Sequence, residues 1–170
     1  MTLERARLTG LLVVIILGLA GCGNAIRATI NGRVGIAVDA NGNPVVIVAA
    51  CPEFLDTVTI SEGREGLAET EPNKDVGTWN RNDHLAGVYE LNLSKPDDSW
   101  SRLQPIELKP STLYIVIAAQ SKKDVEATQV SFYGRDVASL VPGRVYTNTG
   151  DPDSSELQWS TQKKFTEPCV

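Results

Sequence analysis

Residues 27–50 read RATINGRVGIAVDANGNPVVIVAA, and this stretch decides the fold. In its first half, up to Asp39, apolar residues or glycine occupy the even positions, and mostly polar or small residues occupy the odd ones. This period of two predicts a half-buried strand that is interrupted near Gly32. The turn residues 41–44 then lead into Val45–Ala50, an unbroken apolar run. The stretch therefore predicts a hairpin whose second strand is central and covered on both faces.

Shorter segments of strand character continue along the chain, separated by turn residues. The predicted strands are 57–61, 76–79 as a short edge strand inside the polar section 62–86, 89–93, a strand around 114–117, 127–133, 144–147 and 158–165 as a last edge strand. One helical turn is predicted at 137–141. Many short strands between turns predict an all-β domain over residues 27–170, an antiparallel β-sandwich of about seven to nine strands.

A more specific pattern lies at residues 108–116, LKPSTLYIV, which contains L-x-P-x-T-x-Y-x-V. It resembles the corner that leads into strand F of fibronectin type III domains, where a tyrosine hydroxyl bonds to the backbone a few residues upstream. By this resemblance Tyr114 is a structural corner tyrosine, Leu108 and Val116 belong to the core, and the sandwich is immunoglobulin-like.

An apolar run precedes the domain at residues 11–21, behind a short leader that carries Arg5 and Arg7. Eleven residues are too few to span a bilayer as a helix, which takes about 20. The positive leader and the small residues at the end of the run indicate a helical signal peptide instead.

The run ends in Leu19-Ala20-Gly21-Cys22, which resembles the lipobox of bacterial lipoproteins. The resemblance implies that residues 1–21 are removed, that Cys22 is lipidated and that 22–26 form a short tether. A palmitate-type anchor with two acyl chains holds a protein lastingly, at about 0.8 kcal/mol per buried CH₂. The protein would then be extracytoplasmic, on the cell membrane or the outer membrane. The alternative is a plain signal peptide whose cysteine falls there by chance.

Charge and cysteine content constrain the mature chain further. The full sequence has 16 basic and 21 acidic residues, and the leader contains two and one of them, so 14 and 20 remain, a net charge of −6. This argues against nucleic acid, whose phosphates require a basic face. With Cys22 assigned to lipid, Cys51 and Cys169 remain as a pair. We expect them to form a disulfide outside the cytoplasm, the alternative being two free thiols.

Few residues in the sequence point to chemistry. His84 is the only histidine, and the G-x-S-x-G elbow and the second histidine of a zinc site are both missing, so we predict no catalytic residue, no metal and no cofactor. Trp79 and His84 are tentative ligand-binding residues. The predicted function is a non-enzymatic binding or structural module of the cell envelope, with an envelope protein or a wall polymer as partner. Two alternatives are an envelope hydrolase that uses Asp83 and His84 and a spacer without a ligand.

Overall fold

The computed structural model describes residues 28–68, 70–84, 86–149 and 155–169. The predicted signal peptide, Cys22 and the tether lie outside these residues. The described part contains strands β1 Thr29–Val38, β2 Pro44–Ala50, β3 Thr57–Glu62, β4 Asp75–Asn80, β5 Gly87–Asn92, β6 Leu113–Ala119, β7 Val125–Thr128, β8 Val130–Tyr133, β9 Arg144–Asn148 and β10 Leu157–Thr161. Its helices are the 3₁₀ turns η1 Gly134–Ser139 and η2 Glu167–Cys169 and the short α-helix α1 Gln162–Thr166.

The ten strands form one mixed, curled sheet, which is compatible with a β-sandwich. One half runs in the order β5-β2-β1-β9-β10, and the other runs β4-β3-β6, with β8 and β7 both paired to β6. The two halves join where β7 lies parallel to β1. The all-β prediction is therefore confirmed, with ten strands in place of about seven to nine and one parallel pair in a sheet predicted to be antiparallel.

Strand β1 gains a second partner after Gly32. Its residues Thr29, Ile30 and Arg33 pair with β7, and Arg33–Val38 pair antiparallel with β2. The register with β7 shifts just before Arg33, and Gly32 has a φ of +104°, which residues with a side chain rarely adopt. The interruption predicted near Gly32 is this bulge, at which the strand passes from one half of the sheet to the other.

The hairpin between β1 and β2 forms as predicted and is fixed by one carboxylate. Asp39 accepts hydrogen bonds from the backbone N–H groups of Asn41 and Asn43 at 2.8 and 2.9 Å, and from the side-chain amides of Asn43 and Asn92. These bonds hold the pKa of Asp39 below its usual value. Asp39 is thus a turn residue whose oxygens are already occupied.

The main core lies inside the curl, between the two halves of the sheet. Its largest fully buried side chains are Trp79, Tyr114, Phe132, Ile36, Leu55, Ile60, Leu91 and Leu93. Most of them stand at alternate positions of their strands, as a period of two requires. The short strand predicted at 76–79 is real and extends over β4, where Trp79 points inward.

A second, smaller core covers the outer face of β1 and β2. Phe165 of α1 is buried there against Ala37, Val45, Ile47, Ala49 and Val145. The Cys51–Cys169 disulfide ties the end of β2 to η2, with the two Cα atoms 5.3 Å apart. We call α1, η2 and this disulfide the C-terminal clasp. Because of the clasp, β2 is covered on both faces, as predicted.

Gly35 provides the space into which the clasp packs. A Cβ at this position would lie 3.1 Å from the carbonyl oxygen of Tyr146 and 3.3 Å from Cε2 of Phe165, and it would overlap the side chain of Val145. Contacts this short are not tolerated in a packed interior. The glycine therefore allows the Phe165 ring to approach the backbone of β1.

Two predictions near the C-terminal part of the chain need correction. The strand predicted at 158–165 ends at Thr161, whose hydroxyl accepts a hydrogen bond from Lys164 N–H at 3.3 Å and caps α1. The strand predicted at 127–133 is two strands, β7 and β8, separated at Gln129. The helical turn predicted at 137–141 is present, shifted to η1.

The strand directions give the molecule two ends. One end, which we call the Ala28 end, comprises Ala28 and the connections that follow β2, β4 and β6, at residues 51–56, 81–84, 86 and 120–124. The opposite end, which we call the Ala40 end, comprises the connections that follow β1, β3 and β8, at residues 39–43, 63–68, 70–74 and 134–143. Ten residues of β1 separate the ends by about 30 Å. Within the described part of the chain, no helix is both long and apolar enough to cross a bilayer.

Candidate functional site

Polar and aromatic groups gather at two places in the described part of the chain. The first is a cluster around the buried Asp56 at the Ala28 end. The second is a groove beside strand β10. The predicted residue His84 belongs to the first place, whereas the second was not predicted from the sequence.

Asp56 is 4% exposed and precedes β3. Its carboxylate accepts hydrogen bonds from the backbone N–H of Ser121 at 2.7 Å and from the Ser121 hydroxyl at 2.8 Å. Burial alone would raise the pKa of this carboxyl, but the bonds from Ser121 outweigh it and hold the pKa below its usual value. Asp56 therefore fastens the turn between β6 and β7 to the start of β3.

His84 lies beside this carboxylate. Its Nδ1 is 3.5 Å from Oδ2 of Asp56, and its ring is 5.1 Å from the ring of Phe54. Asp83, the predicted partner of His84, instead forms a two-pronged ion pair with Arg81, with both N–O distances at 2.6 Å. The structure thus brings His84 to Asp56 and leaves Asp83 with Arg81.

The cluster resembles a serine hydrolase site in composition only. In a Ser-His-Asp relay the serine hydroxyl donates to the histidine, which then removes its proton. Here the Ser121 hydroxyl donates to Asp56, on the same oxygen that faces His84. The Ser121 hydroxyl thus helps to hold the turn at 120–124 against Asp56.

Asp56→Asn is expected to lower the free energy of unfolding at pH 7 by about 1 to 3 kcal/mol, because hydrogen bonds to an ionised, buried acceptor are lost. The folded-state pKa lies below the unfolded value of about 3.9, so this contribution is complete above that value and disappears as the pH falls through the folded pKa. Urea unfolding of the two proteins between pH 7 and about pH 2 measures it.

Asp98→Asn is the matched control, since Asp98 is an exposed aspartate at the surface. Its difference from wild type should stay within about 0.5 kcal/mol at both pH values. An Asp56→Asn difference that stayed constant or grew toward low pH would show that the carboxylate is not the stabilising species.

The three tryptophans occupy different environments. Trp79 is 0% exposed, with the guanidinium of Arg102 5.0 Å from its ring centroid, and Trp100 is also buried. The ring of Trp79, tentatively assigned to ligand binding, is thus buried in the main core. Trp159 on β10 is 52% exposed, and the guanidinium carbon of Arg144 lies 3.9 Å from its ring centroid.

A groove of about 640 Å³ opens at the start of β10. One wall comes from the end of β8 and from η1, and the other from β9 and the start of β10. Its lining includes Tyr133, Arg135, Asp136, Leu140, Tyr146 and Leu157. Residues two apart on a strand share a face, so Trp159 lies on the same face of β10 as the lining residue Leu157, and it pairs with Tyr146 of β9. The volume falls in the range of small-ligand sites.

The groove combines aromatic surface with both signs of charge. Arg135 stacks on Tyr133 with 4.3 Å between the guanidinium carbon and the ring centroid, and the Tyr133 hydroxyl donates to Glu65 at 2.8 Å. The bond to Glu65 raises the pKa of Tyr133. Strand β10 pairs with β9 alone among the described strands, so the groove lies at a sheet edge. Edge backbone and aromatic surface together are features of a polypeptide-binding or ligand-binding site.

The remaining predicted residues are placed as follows. Cys51 and Cys169 form the predicted disulfide, a bond typical of proteins outside the cytoplasm. The Tyr114 hydroxyl accepts a hydrogen bond at 2.8 Å from Lys109 N–H, five residues upstream. Among the described residues, no three His, Cys, Asp or Glu side chains converge on a metal site.

Comparisons of the chain with protein-family models, with curated proteins and with solved structures found no match.

Proposed function

We propose that this chain is a lipid-anchored extracytoplasmic lipoprotein whose domain is a non-enzymatic binding or structural module of the cell envelope. The observation that carries the proposal is the lipobox-like Leu19-Ala20-Gly21-Cys22 immediately ahead of a domain whose two other cysteines are joined. Lipidation uses Cys22, and an oxidising compartment accounts for the disulfide. Both features are consistent with export.

Within the β-sandwich class, we propose that the fold is an immunoglobulin-like sandwich. The Tyr114 bond to Lys109 supports it, because a corner tyrosine in such domains bonds to the backbone a few residues upstream. Leu108 packs against the main core and Val116 is fully buried, which are the positions that the resemblance implies. The resemblance does not imply the parallel pairing of β1 with β7 or the placement of the disulfide at the clasp.

The groove beside β10 is the best-supported binding site for an envelope protein or a wall polymer. Exposed aromatic residues are frequent anchors of binding surfaces, and Trp159, which lies on the same face of β10 as the lining residue Leu157, is the one exposed tryptophan of the described chain. The groove walls add Arg135 and Asp136 for polar contacts. A hydrolase built on Asp83 and His84 is the weaker reading, because Asp83 is committed to Arg81.

Cys22→Ala is expected to move the protein out of the membrane fraction or to leave it as an unprocessed precursor. Two acyl chains contribute about 0.8 kcal/mol per buried CH₂, and the variant loses all of that anchoring. Immunoblots of membrane and soluble fractions measure the shift. Ser61→Ala, a strand substitution inside the domain, is the control and should stay in the membrane fraction; a Cys22→Ala protein found there at full mature size would contradict the proposal.

Trp159→Ala is expected to reduce partner capture in intact cells roughly 10-fold or more, since truncating a central aromatic anchor commonly removes 2 kcal/mol or more of binding energy. Capture is measured with a photo-reactive residue at Ser139, an exposed residue that lines the groove, followed by gel analysis of the cross-linked species. His84→Gln is the matched control and should leave capture unchanged. If His84→Gln reduced capture and Trp159→Ala did not, the binding site would be the His84 cluster. If the wild-type protein captured nothing specific, the domain would be a spacer.

A further inference from the structure

The position of β1 limits how the domain can stand on a membrane. Ala28, the first described residue, is six residues after Cys22. Six extended residues reach at most about 22 Å. The Ala28 end therefore stays within this distance of a lipidated Cys22, whereas the Ala40 end is about 30 Å farther along β1.

The surface of the Ala28 end suits contact with lipid. Two of the large apolar side chains that remain exposed lie there: Ile30 on β1, 58% exposed, and Val88 near the start of β5, 41% exposed. Neither belongs to a cluster of the core. Exposed aliphatic residues beside a tether are positioned to enter the boundary between headgroups and acyl chains.

The charges at this end do not oppose such contact. Its connections carry three basic groups, Arg81, Lys122 and Lys123, and four acidic ones, Glu53, Asp56, Asp83 and Asp124. Arg81 pairs with Asp83, Lys123 lies 3.3 Å from Glu53, and Asp56 is buried. Three basic against four acidic groups leave these connections with a net charge of −1, the same balance as in the described connections of the Ala40 end. Repulsion between these connections and anionic headgroups is therefore small.

We infer that the Ala28 end is a membrane-facing surface that rests on the bilayer, with Ile30 and Val88 against the lipid. The Ala40 end and η1 then point away from the membrane, and the groove, whose walls include η1, stays open to partners. This inference rests on the proposed lipid anchor. The cluster of Asp56 and His84 belongs to the Ala28 end, so it lies on the side of the domain that faces the membrane. The bilayer then shields it from large partners.

The orientation is measured on the full lipidated chain in phosphatidylcholine vesicles whose headgroups carry a nitroxide quencher. A fluorophore is attached to a cysteine introduced as Lys122→Cys at the Ala28 end or, as the matched control, as Ala40→Cys at the other end. The native thiols are engaged by lipid and by the disulfide, so the new thiol is the one that reacts. The label at position 122 should lose most of its emission, and the label at position 40 should keep most of its own.

Equal quenching at the two positions, or stronger quenching at position 40, would overturn the orientation. Ile30→Asp should lower the quenching at position 122, whereas Leu103→Asp, at an exposed leucine elsewhere on the surface, should leave it unchanged. Vesicle flotation separates the two proposals. A chain that floats with the wrong quenching pattern contradicts the orientation alone, and a chain that does not float contradicts the anchor and with it the orientation.

Discussion

Replacement of both Cys51 and Cys169 by serine is expected to lower the free energy of unfolding by about 4 to 5 kcal/mol. The disulfide joins residues 118 positions apart, and in the chain-entropy model a loop of that length is costly to close without the covalent bond. Near the midpoint, a loss of this size corresponds to a fall in Tm of roughly 10 to 20 °C. Thermal unfolding followed by circular dichroism measures it.

The reductant response provides the control for this prediction. Wild-type protein treated with a dithiol should lose the same stability as the double-serine variant, and the variant itself should not respond to the dithiol. A double-serine variant as stable as oxidised wild type would show that packing alone holds the clasp. Both native cysteines would also be labelled by alkylation without reduction if the bond did not form.

Phe165→Ala is expected to destabilise the domain by about 3 to 5 kcal/mol. The ring is 2% exposed and fills the space that Gly35 leaves beside β1, so truncation opens a cavity in the smaller core. Urea unfolding measures the change. Leu103→Ala is the matched control, because Leu103 is exposed and its loss should cost within about 0.5 kcal/mol.

The disulfide and Phe165 belong to one clasp, so their losses should not add. Once the disulfide is absent, α1 can detach, and the ring then contributes less to the folded state. The triple variant should therefore lose less than the sum of the separate effects. Full additivity would mean that the disulfide and the helix stabilise the domain independently.

Local features of the fold could be predicted from the sequence. The hairpin of β1 and β2 follows from alternation and from a turn whose Asp39 side chain bonds to nearby backbone. The burial of β2 on both faces follows from its unbroken apolar run. The strand at 76–79 was recognisable because Trp79 and Val76 stand out in a polar section.

Features that depend on distant contacts could not be predicted. The parallel pairing of β1 with β7 joins segments almost a hundred residues apart, and no local pattern encodes it. The odd positions of β1 appear only small or polar in sequence, yet Gly35 and Ala37 are buried because the clasp covers them. Trp79 and Trp159 have similar polar neighbours, and only tertiary packing separates the buried ring from the exposed one.

One signal in the sequence was readable but missed. The pattern L-x-P-x-x-x-Y occurs at 108–114 and again at 140–146. In each copy the tyrosine hydroxyl accepts a hydrogen bond from a backbone N–H five residues upstream, Lys109 to Tyr114 at 2.8 Å and Val141 to Tyr146 at 3.2 Å. The second corner shapes the turn before β9, and Tyr146 lines the groove. Comparing the two segments would have drawn attention to this region.

The most direct test of the account is the chemistry of Cys22. Cells grown with radiolabelled palmitate should incorporate label into a mature chain that begins at Cys22, and intact mass spectrometry should show residues 1–21 removed and two or more acyl chains added. Label should persist in the variant without Cys51 and Cys169 and disappear in Cys22→Ala. A wild-type protein without label, or one cleaved elsewhere than before Cys22, would contradict the lipid anchor.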